Sequence, residues 1–185
     1  MRLDGGHPAL DLVNTIYGQR HGPVEADVLA TPEDLVTFAA RTGMGAASPA
    51  AAGALEAARE LREALDAVLW ALLDHASPPA AAVHALERAG RRAFDAGRLG
   101  GDGTLAWTWP GADPLSPVHR LAVAALELLA DEEALSRLRQ CAGCRWVFLD
   151  RSRGGGRRWC SMADCGTEAK KRRYVERRRR RRAGP

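Results

Sequence analysis

Apolar residues recur at intervals of three and four through most of the first 140 positions, the spacing of helices that bury one face. In residues 7–17, HPALDLVNTIY, the apolar Ala9, Leu10, Leu12, Val13 and Ile16 lie close to such a stripe and predict a short helix starting after Pro8. Residues 20–30, with Gly22 and Pro23, read as a loop. Thr31-Pro32-Glu33-Asp34 supplies an N-cap, a proline at the first position and acids in the first turn. The helix it starts turns Leu35, Phe38 and Ala39 inward and stops at Gly43. Ser48-Pro49 opens the longest predicted helix, to about His75. One face carries Leu55, Ala58, Leu61, Leu65, Val68, Leu69 and Leu72; the other carries Glu56, Arg59, Glu60, Arg62 and Glu63. Ser77-Pro78-Pro79 breaks it and begins a helix with Val83, Leu86, Ala89 and Phe94, ending at Gly97. A glycine-rich turn over 97–103 precedes TLAWTW (104–109), whose alternation suits a strand. Its partner is either the segment near Leu99 or an extended piece of the N-terminal region. From Pro117, VHRLAVAALELLA predicts another strong helix, and Asp131-Glu132-Glu133 starts a shorter one through Leu138 that leads into Cys141.

The pattern then changes. All four cysteines fall within 25 residues, as Cys141-x2-Cys144-x15-Cys160-x4-Cys165. Two close pairs at this separation have the spacing of a tetrahedral four-thiolate Zn2+ site. A CxxC redox pair is the competing reading, but no βαβ context precedes Cys141 and a second pair would be left over. Cys141-Ala-Gly-Cys144 predicts a knuckle in which Gly143 lets the backbone turn. Residues 145–150 predict a strand, Gly154-Gly155-Gly156 a turn, and Arg157-Arg158-Trp159 the returning strand. Ser161-Met-Ala-Asp164 reads as a helix cap that puts Cys165 in the first helical turn, where the dipole favours thiolate. Knuckle, hairpin and helix make a treble-clef arrangement, with Trp146, Phe148 and Trp159 as its small core.

Charge separates the same two regions. Residues 141–185 hold 15 Lys and Arg against 4 Asp and Glu, whereas residues 1–140 hold 12 against 19. Arginine outnumbers lysine 25 to 2, a bias that a G+C-rich coding sequence produces, so the clustering of cations is informative and the choice of arginine is not. The cluster comprises Lys170, Lys171, Arg172, Arg173 and residues 177–182, with Glu176 opposing. One reading is a solvated polycationic tail; the other is a phosphate-binding element. Residues 170–173 are expected against the module and residues 177–182 beyond it. An acidic domain beside a basic tail further suggests that the tail docks intramolecularly until nucleic acid competes.

The expected architecture is therefore mainly α with a small β element. A helical N-terminal domain (1–139) for sensing or assembly precedes a treble-clef-like four-cysteine zinc finger with a basic C-terminal helix and tail (140–185). The N-terminus lacks a signal-peptide run and no stretch approaches a membrane span, which places the expected protein in the cytoplasm with no membrane partner. No nucleophile–base set is visible, so an enzyme is not expected. His7, His21, His75, His84 and His119 have no ligand spacing among themselves and are expected at the surface or at boundaries.

The motifs WVFLDRS, RRWCS and CG-x2-AK-x-RRY-x2-R resemble the CGNR zinc finger of bacterial transcription regulators. DLVNT, Leu29 before the capped helix, and a helix running into the first cysteine are similar to the ABATE domain usually joined to it. The resemblance covers essentially the whole chain. At the run that names the finger this chain has Cys165-Gly166-Thr167-Glu168, so the Asn and Arg positions differ and an acid stands where a cation would meet nucleic acid. By resemblance the ligands are Cys141, Cys144, Cys160 and Cys165, and the implied role is DNA-linked regulation, with stress responses among the candidates. Candidate nucleic-acid contacts are Arg157, Arg158, Lys170, Lys171, Arg172, Arg173 and Arg177. Asn14, Thr15 and Arg20 are candidates for lining a small-molecule effector pocket, Asn14 and Thr15 serving equally as a cap and turn. A homodimer is expected because a single small module reads a short site. The alternative partner is RNA, or a protein held on a rigid zinc platform.

Overall fold

In the computed structural model, which describes residues 1–20, 22–45, 52–101, 103–111 and 113–182, His7 accepts the Ala9 amide at Nδ1 (3.3 Å) and starts helix α1 (Pro8–Val13). Helix α1 ends sooner than its apolar stripe suggests. The Asn14 side chain is drawn away to a distant strand, and β1 (Ile16–Gly18) follows, paired antiparallel with β2 (Val24–Asp27). The segment 20–30, read as a loop, thus contains a strand. Its pairing partner lay inside the predicted helix, which concealed the hairpin. Gly18 sits at a bulge with φ of 143°, and a Cβ there would lie 2.6 Å from the Pro23 carbonyl oxygen.

Thr31 caps α2 (Pro32–Thr42) in a reciprocal box with Asp34, and Gly43 closes it in the left-handed conformation, as expected. The Ser48-Pro49 helix start lies outside the described residues; α3 runs over Ala52–Leu73. Its apolar stripe is buried as predicted from Leu55 to Leu69, with Leu72 half-buried, but Arg62, placed on the solvent face, is 2% exposed. It reaches back to β2, where its two terminal nitrogens fork onto Asp27 (2.7 and 2.8 Å) and one also meets Thr15 Oγ1 (3.0 Å). Burial opposes ionisation of Asp27, yet the Arg62 fork holds its carboxyl below the usual range.

Helix α4 (Ala80–Ala96) packs on α3 and α5 (Ser116–Ala130), burying Ala82, Leu86, Gly90 and Ala93. Phe94, expected in this stripe, is instead 39% exposed and tilts against Trp107 (4.9 Å). Trp107 lies in β4 (Ala106–Thr108), whose partner is β3 (Arg98–Gly100), with Leu99 opposite Trp107. Of the two partners open to TLAWTW, the structure uses the nearer. His119, expected at the surface or a boundary, is buried on α5 beside Asp113 (3.5 Å). Helix α1 lies across α3 and α5 and completes the core.

Helix α6 spans Glu132–Ser136, capped by Asp131. It does not run through Leu138: residues Leu138–Gln140 form β5, paired antiparallel with β6 (Val147–Leu149). The chain enters the first cysteine pair from a strand.

Asp11 is a strain point in this core. It is 7% exposed, and its carboxylate accepts the Gly5 amide (2.9 Å). Burial pushes its carboxyl up to about 6. An acid whose folded value exceeds its unfolded value binds its proton more tightly when folded, so its contribution to stability falls as pH rises from about 4 through about 6. Asp11→Asn keeps an acceptor for the Gly5 amide and removes the charge. It should raise the thermal midpoint by about 2–6 °C at neutral pH and leave it unchanged near pH 4. Melting curves at the two pH values check this; an equal shift at both would exclude charge burial as the cause.

Candidate metal centre and basic helix

Strands β5 and β6 converge on residues 141–146 and bring the first cysteine pair to the edge of the helical domain. Cys141 N donates to the Trp146 carbonyl (2.9 Å), closing the knuckle, and Gly143 N donates to Cys141 Sγ (3.4 Å). Gly143 is favoured by tight space and not by backbone turning as the sequence suggested. Its φ is not positive, and a Cβ there would lie 3.1 Å from Cys165 Cβ and 3.3 Å from its sulfur.

The expected hairpin between residues 145–150 and 157–159 is not formed. Strand β6 pairs upstream with β5, and residues 157–159 run beside the knuckle, where Ala142 N donates to the Arg158 carbonyl (2.9 Å). Asp150 holds the intervening loop by accepting from Ser152 N (2.9 Å), Ser152 Oγ (2.6 Å) and Arg157 N (2.9 Å). The Ser152 hydroxyl and amide, with the Arg157 amide, keep its carboxyl below the usual range despite burial. Asp150-Arg-Ser152 is an Asx-turn signature visible in the sequence.

Ser161 Oγ accepts the Asp164 amide (3.4 Å) and caps a wide turn, Met162–Gly166, closed by Gly166 N to the Ser161 carbonyl (3.0 Å). Cys165 sits in this turn, and α7 (Thr167–Arg182) follows. The ligand atoms of Cys141, Cys144, Cys160 and Cys165 all lie within 4.8 Å of one another. Cys144 and Cys160 sulfurs are 3.7 Å apart, Cys160 and Cys165 3.6 Å. A tetrahedron with Zn–S bonds of about 2.3 Å has edges of about 3.8 Å, so the donor set fits Zn2+ in both chemistry and size. Without a cation the cluster cannot fully ionise: Cys141 is driven low by hydrogen bonds from Cys144 and Cys160, while the Cys144 thiol bonded to Cys141 is pushed up to about 12. A dication at the centre removes that conflict, leaving a closed site with no open coordination position.

The small core named from sequence is present: Trp146 and Phe148 are buried with Cys141 and Cys160, and Trp159 packs against them. One member comes from outside the module. Tyr17 of β1 meets Trp146 edge-on (5.0 Å), and Trp146 Nε1 donates to the Ile16 carbonyl (3.1 Å).

The remaining sequence candidates fall into different roles. Asn14 is 2% exposed and clamps Val147 on both backbone groups, donating to its oxygen (2.8 Å) and accepting from its nitrogen (3.0 Å). Thr15 donates to the Leu12 carbonyl (2.7 Å) and accepts from Arg62. Arg20 covers the Trp70 ring at 4.3 Å, donates to Gln140 (3.1 Å) and pairs with Asp74. Each of the three is committed to a different internal neighbour. With Arg145 paired to Asp66 (2.8 Å) and the Leu149 amide on the Gly5 carbonyl (2.9 Å), Asn14 staples the metal centre to the helical domain. Sequence reading missed this staple, because Asn14 and Val147 carry no local signal of each other.

Arg157 turns inward, its guanidinium 4.2 Å from the Phe148 ring and donating to the Trp159, Asp4 and Cys160 carbonyls. Arg158 is exposed, beside Trp159 (5.4 Å). Lys170, Lys171, Arg172, Arg173 and Arg177 all lie on α7. Gly166 and Ala169 are the last buried positions, and residues 170–182 are exposed throughout. The first four cations are therefore not held against the module, nor is the basic helix docked on the acidic domain. It projects for about 20 Å. Lys170, Arg173, Arg177 and Arg180 line one shallow groove along it, with Glu176 among them.

Fold and site together define a helical domain carrying a four-cysteine zinc finger with a projecting cationic helix. Family comparison agrees on both parts. The model of the ABATE family, described as "putative stress-induced transcription regulator", matches residues 6–132, and that of the CGNR zinc finger matches residues 137–178. The chain belongs to the ABATE family and carries a CGNR zinc finger. A search of curated proteins returned no match. Among the described residues no helix is long and apolar enough to cross a membrane.

Proposed function

We propose that this protein is a zinc-dependent DNA-binding regulator whose basic helix α7 contacts the phosphate backbone. The observation that carries this reading is a helix exposed on every side from Lys170 onward, with ten cations and a single acid among residues 170–182. Such a segment gains little from its own sequence as a helix, since short isolated helices are marginal and neighbouring like charges repel. A polyanion relieves the repulsion and releases its counterions in return. Zinc is structural in this reading: four thiolates close the site and leave no position for a reactant, which argues against an enzyme. The family description supports a regulatory role.

The helical domain would serve sensing or self-association, the exposed Phe94, Leu99 and Leu105 being available for the latter. For an effector, the cleft between α3, α4 and α5 beside His119, about 70 Å³, admits only a few atoms. Titrating duplex DNA at several salt concentrations tests the main reading. With most of the α7 cations engaged, log affinity should fall against log salt with a slope of about −5 to −9; a slope near zero would exclude phosphate contacts as the source of binding. Total RNA as competitor separates the alternative partner from DNA.

A further inference from the structure

We propose that the open cleft at the root of α7 takes an unpaired nucleobase, so that a strand held by the helix is read where its bases are not enclosed in a duplex. This rests on the nucleic-acid binding proposed above and names the kind of strand the site takes.

The cleft, about 690 Å³, is lined by Asp4, Gly156, Arg158, Trp159, Ser161 and Met162 among others. The half-buried Trp159 indole is part of its lining. A Cβ on Gly143 or on Gly166 would lie 3.4 Å from the six-membered and five-membered parts of that ring respectively, so the two glycines let the indole pack closely against the cysteine cluster. Met162 extends the surface. Its sulfur would be 2.8 Å from a Cβ on Gly166, which places the thioether beside the same indole, yet the residue is 55% exposed. Arg158 also borders the indole, its guanidinium 5.4 Å from the ring centre. A single exposed methionine is ordinary on a protein surface. An aromatic plane, a polarisable thioether and a guanidinium meeting at one open cleft form a stacking platform for a planar π-face.

Charge decides which planar group arrives. The wide turn that carries Met162 continues directly into α7, so the cations from Lys170 onward start within two turns of the cleft. A nucleic-acid strand tracked by α7 brings bases to it. Asp4, the one acid among the lining residues, is paired with Arg2, which also pairs with Asp164, so the rim does not repel a phosphate chain. The second Asp4 carboxylate oxygen and the Ser161 hydroxyl hydrogen remain as an acceptor and a donor for a base edge. In an intact duplex both faces of each base are covered, which leaves this platform nothing to stack on.

Three labelled probes of equal length test the proposal on the full-length zinc-loaded protein: a single strand, the same strand in a duplex, and a strand with abasic sites. Met162→Ala should weaken binding of the intact single strand about 5- to 20-fold. Binding of the duplex and abasic strands should not change, and the salt slope should be the same for all. Met162 is exposed, and unchanged zinc content confirms that the variant folds. If the substitution affects none of the probes, or all of them alike, the cleft does not stack a base and the proposal is overturned while salt-dependent binding by α7 stands. If the unsubstituted protein binds no probe, the nucleic-acid reading itself fails and takes this one with it. Offering the single strand as DNA and as RNA shows which sugar gives the larger Met162 effect.

Discussion

Removing zinc should unfold the segment from Leu138 to Gly166, with loss of the near-ultraviolet signal of Trp146 and Trp159 and exposure of all four thiols. In this segment Trp146 and Phe148 are enclosed in the module, while Leu138, Val147 and Leu149 are buried in the core of the helical domain. Burial of five such side chains contributes about 8–15 kcal/mol, against which ordering the segment's backbone and side chains costs more. Structural zinc in small modules contributes apparent binding free energies of about 10–16 kcal/mol near neutral pH, so the metal supplies about half or more of what holds the segment. Cys160→Ser should act like chelation, because Cys160 lies within 3.7 Å of Cys144 and 3.6 Å of Cys165 and is 2% exposed. The bundle of α3, α4 and α5 should persist with a lowered thermal midpoint, since metal loss also frees the Asn14 clamp on Val147 and the Tyr17–Trp146 contact. Near-ultraviolet dichroism with a thiol titration measures both effects. Freely reactive thiols in a protein whose aromatic signal is unchanged would refute a structural role for the metal.

Deleting residues 177–182 should lower duplex affinity by about 100-fold or more near 0.1 M salt and make the salt slope shallower by up to about 5. The deletion removes six arginines from a helix that contributes no buried side chain beyond Ala169, so the fold and zinc content should not change. Replacing Lys170 and Arg173 with alanine should cost about two further counterions and a smaller loss. An unchanged slope in the truncated protein would mean that the six arginines are solvated and that binding, if any, lies elsewhere. The two variants separate affinity from position: residues 177–182 add charge at the far end of α7, whereas Lys170 and Arg173 stand in its first turns, nearer the metal centre.

Most elements of the fold were legible because their signals are local. The Thr31–Asp34 box, the Leu and Ala stripe of α3 and the Pro117 helix each announce themselves within a few residues. The cysteine spacing made the metal site legible for the same reason: ligand geometry constrains short stretches of chain. The errors fall where partners are distant or where two local signals compete. Ile16 and Tyr17 fit the end of a helical stripe as well as a strand, and only pairing with β2 settles them. Arg62 reads as a surface cation on an amphipathic helix until Asp27, thirty-five positions away, takes it inside.

The basic C-terminal helix shows the same division. Sequence alone determined the four thiolates, the capped turn that presents Cys165 and the abrupt change from acidic to basic composition. Tertiary structure decided which side chains those features leave free. It turned Arg157 inward over Phe148, paired β6 with β5 in place of residues 157–159, left α7 exposed from Lys170 and opened a cleft beside Trp159 and Met162. The physical reason is reach. Metal ligation, capping and charge act over a few residues or on composition, whereas exposure depends on which remote segment arrives to cover a surface, as β1 does at Trp146 and Asn14 does at Val147.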